Sequence, residues 1–181
     1  MIQELDFRIL NWIQANLRTP WMDWLMPRIT ALGNAGIIWI LLVVFFLLRR
    51  PTRRWGTAMA VGLLGSVLVC NLVLKHAVAR PRPCWINREI ALLIAVPRDY
   101  SFPSGHTTAG IISSVVLLRC HRTVGLCALT LAVLVAFSRL YLYVHFPTDV
   151  LGGALIGAVV GFAAVELCER VLFHPRRSDK E

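Results

Sequence analysis

Long apolar runs constrain this chain more than any other feature. Residues 31–48, 56–79, 124–144 and 149–172 are each dominated by Leu, Val, Ile, Ala and Phe with few charges. About 20 such residues cross the hydrocarbon core of a bilayer as a helix. A shorter run, 105–119, bounded by Arg119 and Arg122, completes five expected spans. The predicted fold is therefore all-α: a polytopic membrane helix bundle of about five transmembrane helices. The 181 residues are 57% hydrophobic and only 16% charged, where ordinary soluble domains carry roughly 25% charged residues. This excludes a disordered chain and argues against a water-soluble globule.

Ahead of the spans, Ile2, Leu5, Ile9, Trp12, Ile13 and Leu17 recur at helical spacing among Gln3, Glu4, Arg8, Asn11 and Gln14. The pattern predicts an amphipathic helix, lying in the membrane interface or packed on the protein itself. Thr19-Pro20 ends it, and Trp21 and Trp24 suit an interfacial aromatic belt. The expected organisation is an interfacial segment 1–30, a transmembrane domain 31–173 and a polar tail 174–181. Glu4, Asp6, Arg8 and Arg18 interrupt the N-terminus, so it does not read as a cleavable signal peptide.

The net charge is +9, carried by residues that flank the apolar runs. Lipid headgroups or an anionic substrate suit that placement better than nucleic acid. Arg49, Arg50, Arg53, Arg54, Arg119 and Arg122 crowd two very short loops on one side. By the positive-inside rule those loops and the C-terminus are cytoplasmic, so the N-terminus and the 80–103 loop face outward. Five cysteines show no CxxC spacing and no disulfide framework. Gly153, Gly157 and Gly161 form a small-residue stripe, suited to packing inside the molecule or to a homodimer seam.

Three clusters carry chemistry, all at the outer ends of spans: Lys75 with Arg82-Pro83; Pro103-Ser104-Gly105-His106; and Ser138-Arg139 with His145 and Asp149. Singly, each has a structural explanation, such as an end-of-helix charge or an N-cap. Together they place three cations, two histidines and a carboxylate on one membrane face, where ionisable groups are costly. Lys75, Arg82 and Arg139 repel one another unless they share an anion, and Arg and Lys suit phosphate oxygens. Ser104 and Gly105 open a helix, whose N–H groups and dipole favour an anion. Asp149, four residues after His145, is spaced to accept its Nδ1–H and leave Nε2 nucleophilic; His106 is then free for acid–base work. There is no carboxylate cluster for magnesium and no Walker loop. Phosphoryl transfer through a phosphohistidine, without metal or cofactor, fits these residues.

The chain resembles the type 2 phosphatidic acid phosphatase superfamily of membrane lipid phosphatases. The family signatures KxxxxxxRP, PSGH and SRxxxxxHxxxD occur in order as KHAVARPRP, PSGH and SRLYLYVHFPTD, between Lys75 and Asp149. The resemblance implies that His145 attacks phosphorus and Asp149 supports it. His106 serves the leaving group and then the attacking water, while Lys75, Arg82, Ser104, Gly105 and Arg139 hold the phosphate. It also implies a metal-independent reaction on the outer membrane face. Arg80, inside the first signature's variable stretch, is a candidate contact to a second phosphate.

Undecaprenyl diphosphate is the first expected substrate, because the outward site and the extra cations Arg80 and Arg98 suit a doubly phosphorylated headgroup. Phosphatidylglycerophosphate and phosphatidic acid are alternatives. The apolar part of the 84–102 loop, Trp85 and residues 90–95, is read as an interfacial loop, with a lid or a tail-contacting helix as alternatives. Two other enzyme readings share the site: the vanadium haloperoxidases, which are soluble and so fit five spans badly, and a transferase that passes the phosphoryl group to an acceptor other than water. A non-enzymatic lipid carrier would not need both histidines and Asp149.

Overall fold

The computed structural model describes residues 1–172, so the expected polar tail lies outside the described residues. All regular elements among them are helical. They are α1 (Ile2–Asn16), α2 (Pro20–Gly33), α3 (Ile37–Leu48), α4 (Arg53–Ser66), α5 (Lys75–Val78), α6 (Pro83–Ile86), α7 (Gly105–Cys120), α8 (Arg122–Tyr141) and α9 (Pro147–Leu167). A π-helical stretch, Val67–Leu74, joins α4 to α5.

Among the described residues, four helical runs are long and apolar enough to cross a membrane: Pro20–Leu48, Arg50–Ile86, Arg122–Tyr141 and Pro147–Val171. The first begins earlier than expected, because α2 continues to Gly33 and meets α3 at a turn. There Ala35 and Gly36 take left-handed φ values of 49° and 69°. The fifth expected span, α7, has only 16 residues. It packs among α4, α8 and α9, with Thr107, Thr108, Ser113 and Ser114 buried. The Thr108 and Ser114 hydroxyls donate to the carbonyls of Ser104 and Gly110 at 3.0 and 2.7 Å and are satisfied within the helix, while the Ser113 hydroxyl has no partner.

The small-residue stripe explains how α9 reaches α7. A Cβ at Gly153 would meet the Ser104 oxygen at 2.7 Å, and one at Gly157 the Thr108 oxygen at 2.8 Å. Leu151, Leu155, Val159 and Phe162 point outward from the same helix. Where lipid replaces water, burying Leu against Leu offers little drive, and close backbone approach holds helices together. The stripe is thus used within the chain.

Two apolar cores result. Trp39, Phe46, Met59, Val116, Leu117 and Ala132 fill the bundle. Leu10, Ile13, Met26, Cys84, Tyr141, Leu142 and Phe146 form a cap at the end opposite the basic α3–α4 and α7–α8 connections. Helix α1 belongs to this cap: Asp6, Leu10 and Ile13 are buried, while Ile2, Leu5, Ile9 and Trp12 stay exposed. Its inner face ties down the α8–α9 connection, with Gln14 donating to the Tyr141 oxygen at 2.7 Å and Tyr143 donating to Asn11 Oδ1 at 2.8 Å. The α1 helix therefore packs on the protein through one face and leaves Ile2, Leu5, Ile9 and Trp12 outward.

Candidate active site

Six of the eight sequence-predicted site residues line one cavity of about 840 Å³: Lys75, Arg82, Gly105, His106, Arg139 and His145. They arrive from five segments of the fold. The π-helical stretch puts Val67, Asn71 and Lys75 on the cavity wall at four-residue intervals, and such irregular turns are frequent at functional sites. Gly105 and His106 open α7, Arg139 ends α8, and His145 lies in the α8–α9 connection. Below the cations the wall becomes apolar, with Ile40, Val43, Leu63, Leu64 and Val67.

Arg82 is the centre of the site. Its Nε donates to the Asp99 oxygen at 2.7 Å and one terminal nitrogen donates to the Val144 oxygen at 2.7 Å. That same nitrogen stands 3.1 Å from His145 Nε2. A guanidinium has donors only, so Nε2 must present its lone pair and the imidazole proton belongs on Nδ1. Nδ1 faces Asp149 Oδ2 at 3.6 Å, slightly beyond hydrogen-bond distance. Burial pushes the His145 imidazole well below the usual histidine range, against the raising effect of Asp149, so the ring is neutral.

Asp149 is fully buried behind His145. Oδ2 accepts the Phe146 N–H at 2.8 Å and the Ser101 hydroxyl. Oδ1 accepts from Arg80 at 2.6 Å. Arg80 does not line the cavity, and Arg98 is exposed outside it. The expectation that Arg80 meets a second phosphate is therefore corrected: the buried carboxylates Asp149 and Asp6 capture it first, since a buried charge needs a partner.

Ser104 also lies behind the wall. Its N–H donates to the Asp149 main-chain oxygen at 3.1 Å and its hydroxyl accepts from Thr107 at 3.0 Å, with no cap bond to α7. Gly105 keeps its place at the cavity, where the mouth of the helix is open. His106 Nε2 is 3.1 Å from Asn34 Oδ1, and Arg139 donates to Thr30 Oγ1 at 2.6 Å. The Arg139 Nε is buried without a hydrogen-bond partner.

Asp99 is the main residue that the sequence reading missed. Its carboxylate bonds Lys75 and accepts from Arg82 at 2.8 Å, so it occupies two of the cations expected to hold phosphate. Burial pushes its carboxyl up, but the Lys75 hydrogen bond and the Arg82 charge outweigh that and hold it at about 2. Its signal in the sequence is its rarity: Glu89 and Asp99 are the only acids between residues 80 and 103. The 84–102 loop is largely irregular rather than helical beyond α6. Its residues 94–97 form part of the cavity wall, while Ile90, Leu92 and Leu93 pack on the cap. Among the described residues no three His, Cys, Asp or Glu side chains converge as a metal site.

The profile of a family described as the PAP2 superfamily matches residues 55–171. An undecaprenyl-diphosphatase of Sulfolobus acidocaldarius is 30% identical over 89% of this chain and 76% of its own length. Phosphatidylglycerophosphatase B of Bacillus subtilis is 32% identical over 86% of this chain and 79% of its own. The crystal structure of a transmembrane PAP2-type phosphatidylglycerolphosphate phosphatase from Bacillus subtilis superposes with a TM-score of 0.77 at 31% identity, covering 96% of this chain and 89% of that one.

Proposed function

The chain belongs to the PAP2 superfamily and is an integral membrane lipid phosphatase, and from that premise we propose that it hydrolyses undecaprenyl diphosphate to undecaprenyl phosphate through a phosphohistidine on His145. The observation that carries the mechanism is the convergence of Lys75, Arg82, His106, Arg139 and His145 on one cavity whose inner wall is apolar. A lipid can place its phosphate among the cations while its chain stays in hydrocarbon.

His145 Nε2, its lone pair directed at Arg82, attacks phosphorus as the bond to the leaving oxygen breaks. Positive charge then develops on the imidazole, and Asp149 stabilises it across Nδ1. His106 gives its proton to the leaving oxygen. It next takes a proton from water, which attacks the phosphohistidine, releasing inorganic phosphate and restoring His145. Lys75, Arg82 and Arg139 stabilise the charge on the equatorial oxygens, as preorganised donors do. The Gly105 N–H at the start of α7 adds to them, and Ser104 fixes that turn from behind. Every charge this scheme needs comes from the chain, so we read the reaction as metal-independent.

The choice of a carrier-lipid diphosphate is supported by the undecaprenyl-diphosphatase relative and places the enzyme in recycling for cell-wall synthesis. The phosphatidylglycerophosphatase relative and the superposed structure support a glycerolipid phosphate as second reading, with the same chemistry. Transfer to another acceptor uses the same first half-reaction. The short basic loops support a plasma-membrane orientation with those loops and the C-terminus cytoplasmic and the site outward. The exposed face of α1, with Ile2, Leu5, Ile9 and Trp12, then lies in the outer interface.

The test is phosphate release by purified protein with EDTA present, comparing undecaprenyl diphosphate, phosphatidylglycerophosphate and phosphatidic acid. Preference for the diphosphate, unaffected by EDTA and abolished in His145→Ala, is expected. Preference for a glycerolipid moves the enzyme to phospholipid metabolism. Loss of activity with EDTA, restored by magnesium, overturns the metal-free mechanism.

A further inference from the structure

We propose that Arg80 is a positioning residue for the reaction, clamped by Asp6 of α1, and that the N-terminal helix is thereby part of the catalytic apparatus. The inference rests on the reading of His145 as nucleophile and Asp149 as its support.

Asp149 is a carboxylate with no exposure to solvent. Such a group is costly unless paired and hydrogen-bonded on both oxygens. Oδ2 is directed toward His145 by the Phe146 N–H and the Ser101 hydroxyl. Oδ1 depends on Arg80 at 2.6 Å and is the oxygen turned away from the histidine. The two arms of the Arg80 fork diverge, and the other reaches Asp6 Oδ2 at 2.7 Å. The plane also lies over the Phe146 ring at 4.0 Å. The arm that meets Asp149 also donates to Thr148 Oγ1 at 2.7 Å, so Asp6, Phe146 and Thr148 all fix the guanidinium besides Asp149.

Asp6 is 1% exposed and comes from a helix 74 residues away in sequence. It accepts the Thr148 N–H at 3.1 Å and the Thr148 hydroxyl at 2.5 Å, beside Asp149 itself. Its charge has an electrostatic task as well. Arg80 alone would neutralise Asp149 and weaken its attraction for an imidazolium. Shared between two carboxylates, Arg80 orients Asp149 while the trio keeps a net negative charge. That charge faces the cation forming on His145 in the transition state, so the effect falls on rate rather than on substrate binding. None of Asp6, Arg80, Phe146 and Thr148 lines the cavity, which separates this role from contact with a second phosphate.

The experiment measures kcat and KM for Arg80→Gln, Arg80→Lys and Asp6→Asn on undecaprenyl diphosphate and on phosphatidic acid, a monoester. Wild-type release, abolished by His145→Ala, tests the functional reading on its own; variant-to-wild-type ratios test Arg80. Expected is a fall in kcat of about tenfold or more for Arg80→Gln on both lipids, with KM within about twofold. Arg80→Lys should recover part of the loss. Adding Arg80→Gln to Asp149→Asn should cost much less than it costs wild type, because both act through one carboxylate. If Arg80→Gln does not yield monodisperse protein, Asp6→Asn, which keeps size and shape, decides with an expected fall of about threefold in kcat alone. A rise in KM confined to the diphosphate overturns the proposal in favour of a second-phosphate contact. Unchanged kcat, or losses that add fully to Asp149→Asn, overturn it as well.

Discussion

Arg82 holds the carboxylate of Asp99 at 2.8 Å on one arm of its guanidinium and stands 3.1 Å from His145 Nε2 with the other. An internal anion is therefore joined to the same cation that meets the proposed nucleophile. Lys75 binds that anion too. On the proposed mechanism, a substrate phosphate competes with Asp99 for both cations.

Asp99→Asn removes this competitor. The carboxylate is half exposed at 52%, which limits its grip. Inorganic phosphate should inhibit the variant about three- to tenfold more strongly than wild type, with KM for lipid falling in parallel. Weaker inhibition would show instead that Asp99 organises the cations for substrate.

The pH dependence of that effect has a definite sign. The folded-state pKa of Asp99 is about 2, below its ordinary value of 3.8. The ion pairs are thus fully present above the ordinary value and are lost only as pH falls toward 2. The ratio of phosphate inhibition between wild type and Asp99→Asn should stay constant from about pH 5 to 8. A ratio that approaches one by pH 5 would contradict a carboxylate held ionised by Lys75 and Arg82.

His145→Ala should lower kcat by about 10⁴-fold or more while the protein stays folded. Asp149→Asn keeps the shape and loses the charge behind Nδ1, so kcat should fall by about 10²-fold or more with little change in KM. Acid-labile phosphate trapped on wild-type protein during turnover, and absent from His145→Ala, checks the intermediate directly.

Gly157→Val tests the packing that brings α9 to α7. The new Cβ would sit 2.8 Å from the Thr108 oxygen and 3.0 Å from Ile111 Cβ, both on the facing helix. Overpacking of this kind costs about 1–3 kcal/mol. Thermal unfolding in detergent should shift down by several degrees, and activity should fall because α9 carries Asp149. An unchanged Tm would mean the two helices separate freely.

The linear order of residues determined the class of fold and the chemistry. Apolar runs near bilayer length leave a chain little choice but a helix bundle, and local spacing placed His145 and Asp149 one helical turn apart. The three signatures named every charged or histidine side chain of the cavity wall except Asp99, because those residues sit near helix ends whose positions the apolar runs already fix. What only the tertiary structure decided are the pairings between distant segments. Asp6, Arg80 and Asp149 meet across 142 residues separating Asp6 from Thr148, and Asp99 meets Lys75 across 24. No period or spacing encodes such contacts; they follow from which buried charge finds which partner once the helices have packed. The same cause turned Arg80 from an expected phosphate contact into a partner of buried carboxylates. It also turned one face of α1 inward, where Asp6 could be satisfied, and left Ile2, Leu5, Ile9 and Trp12 outside.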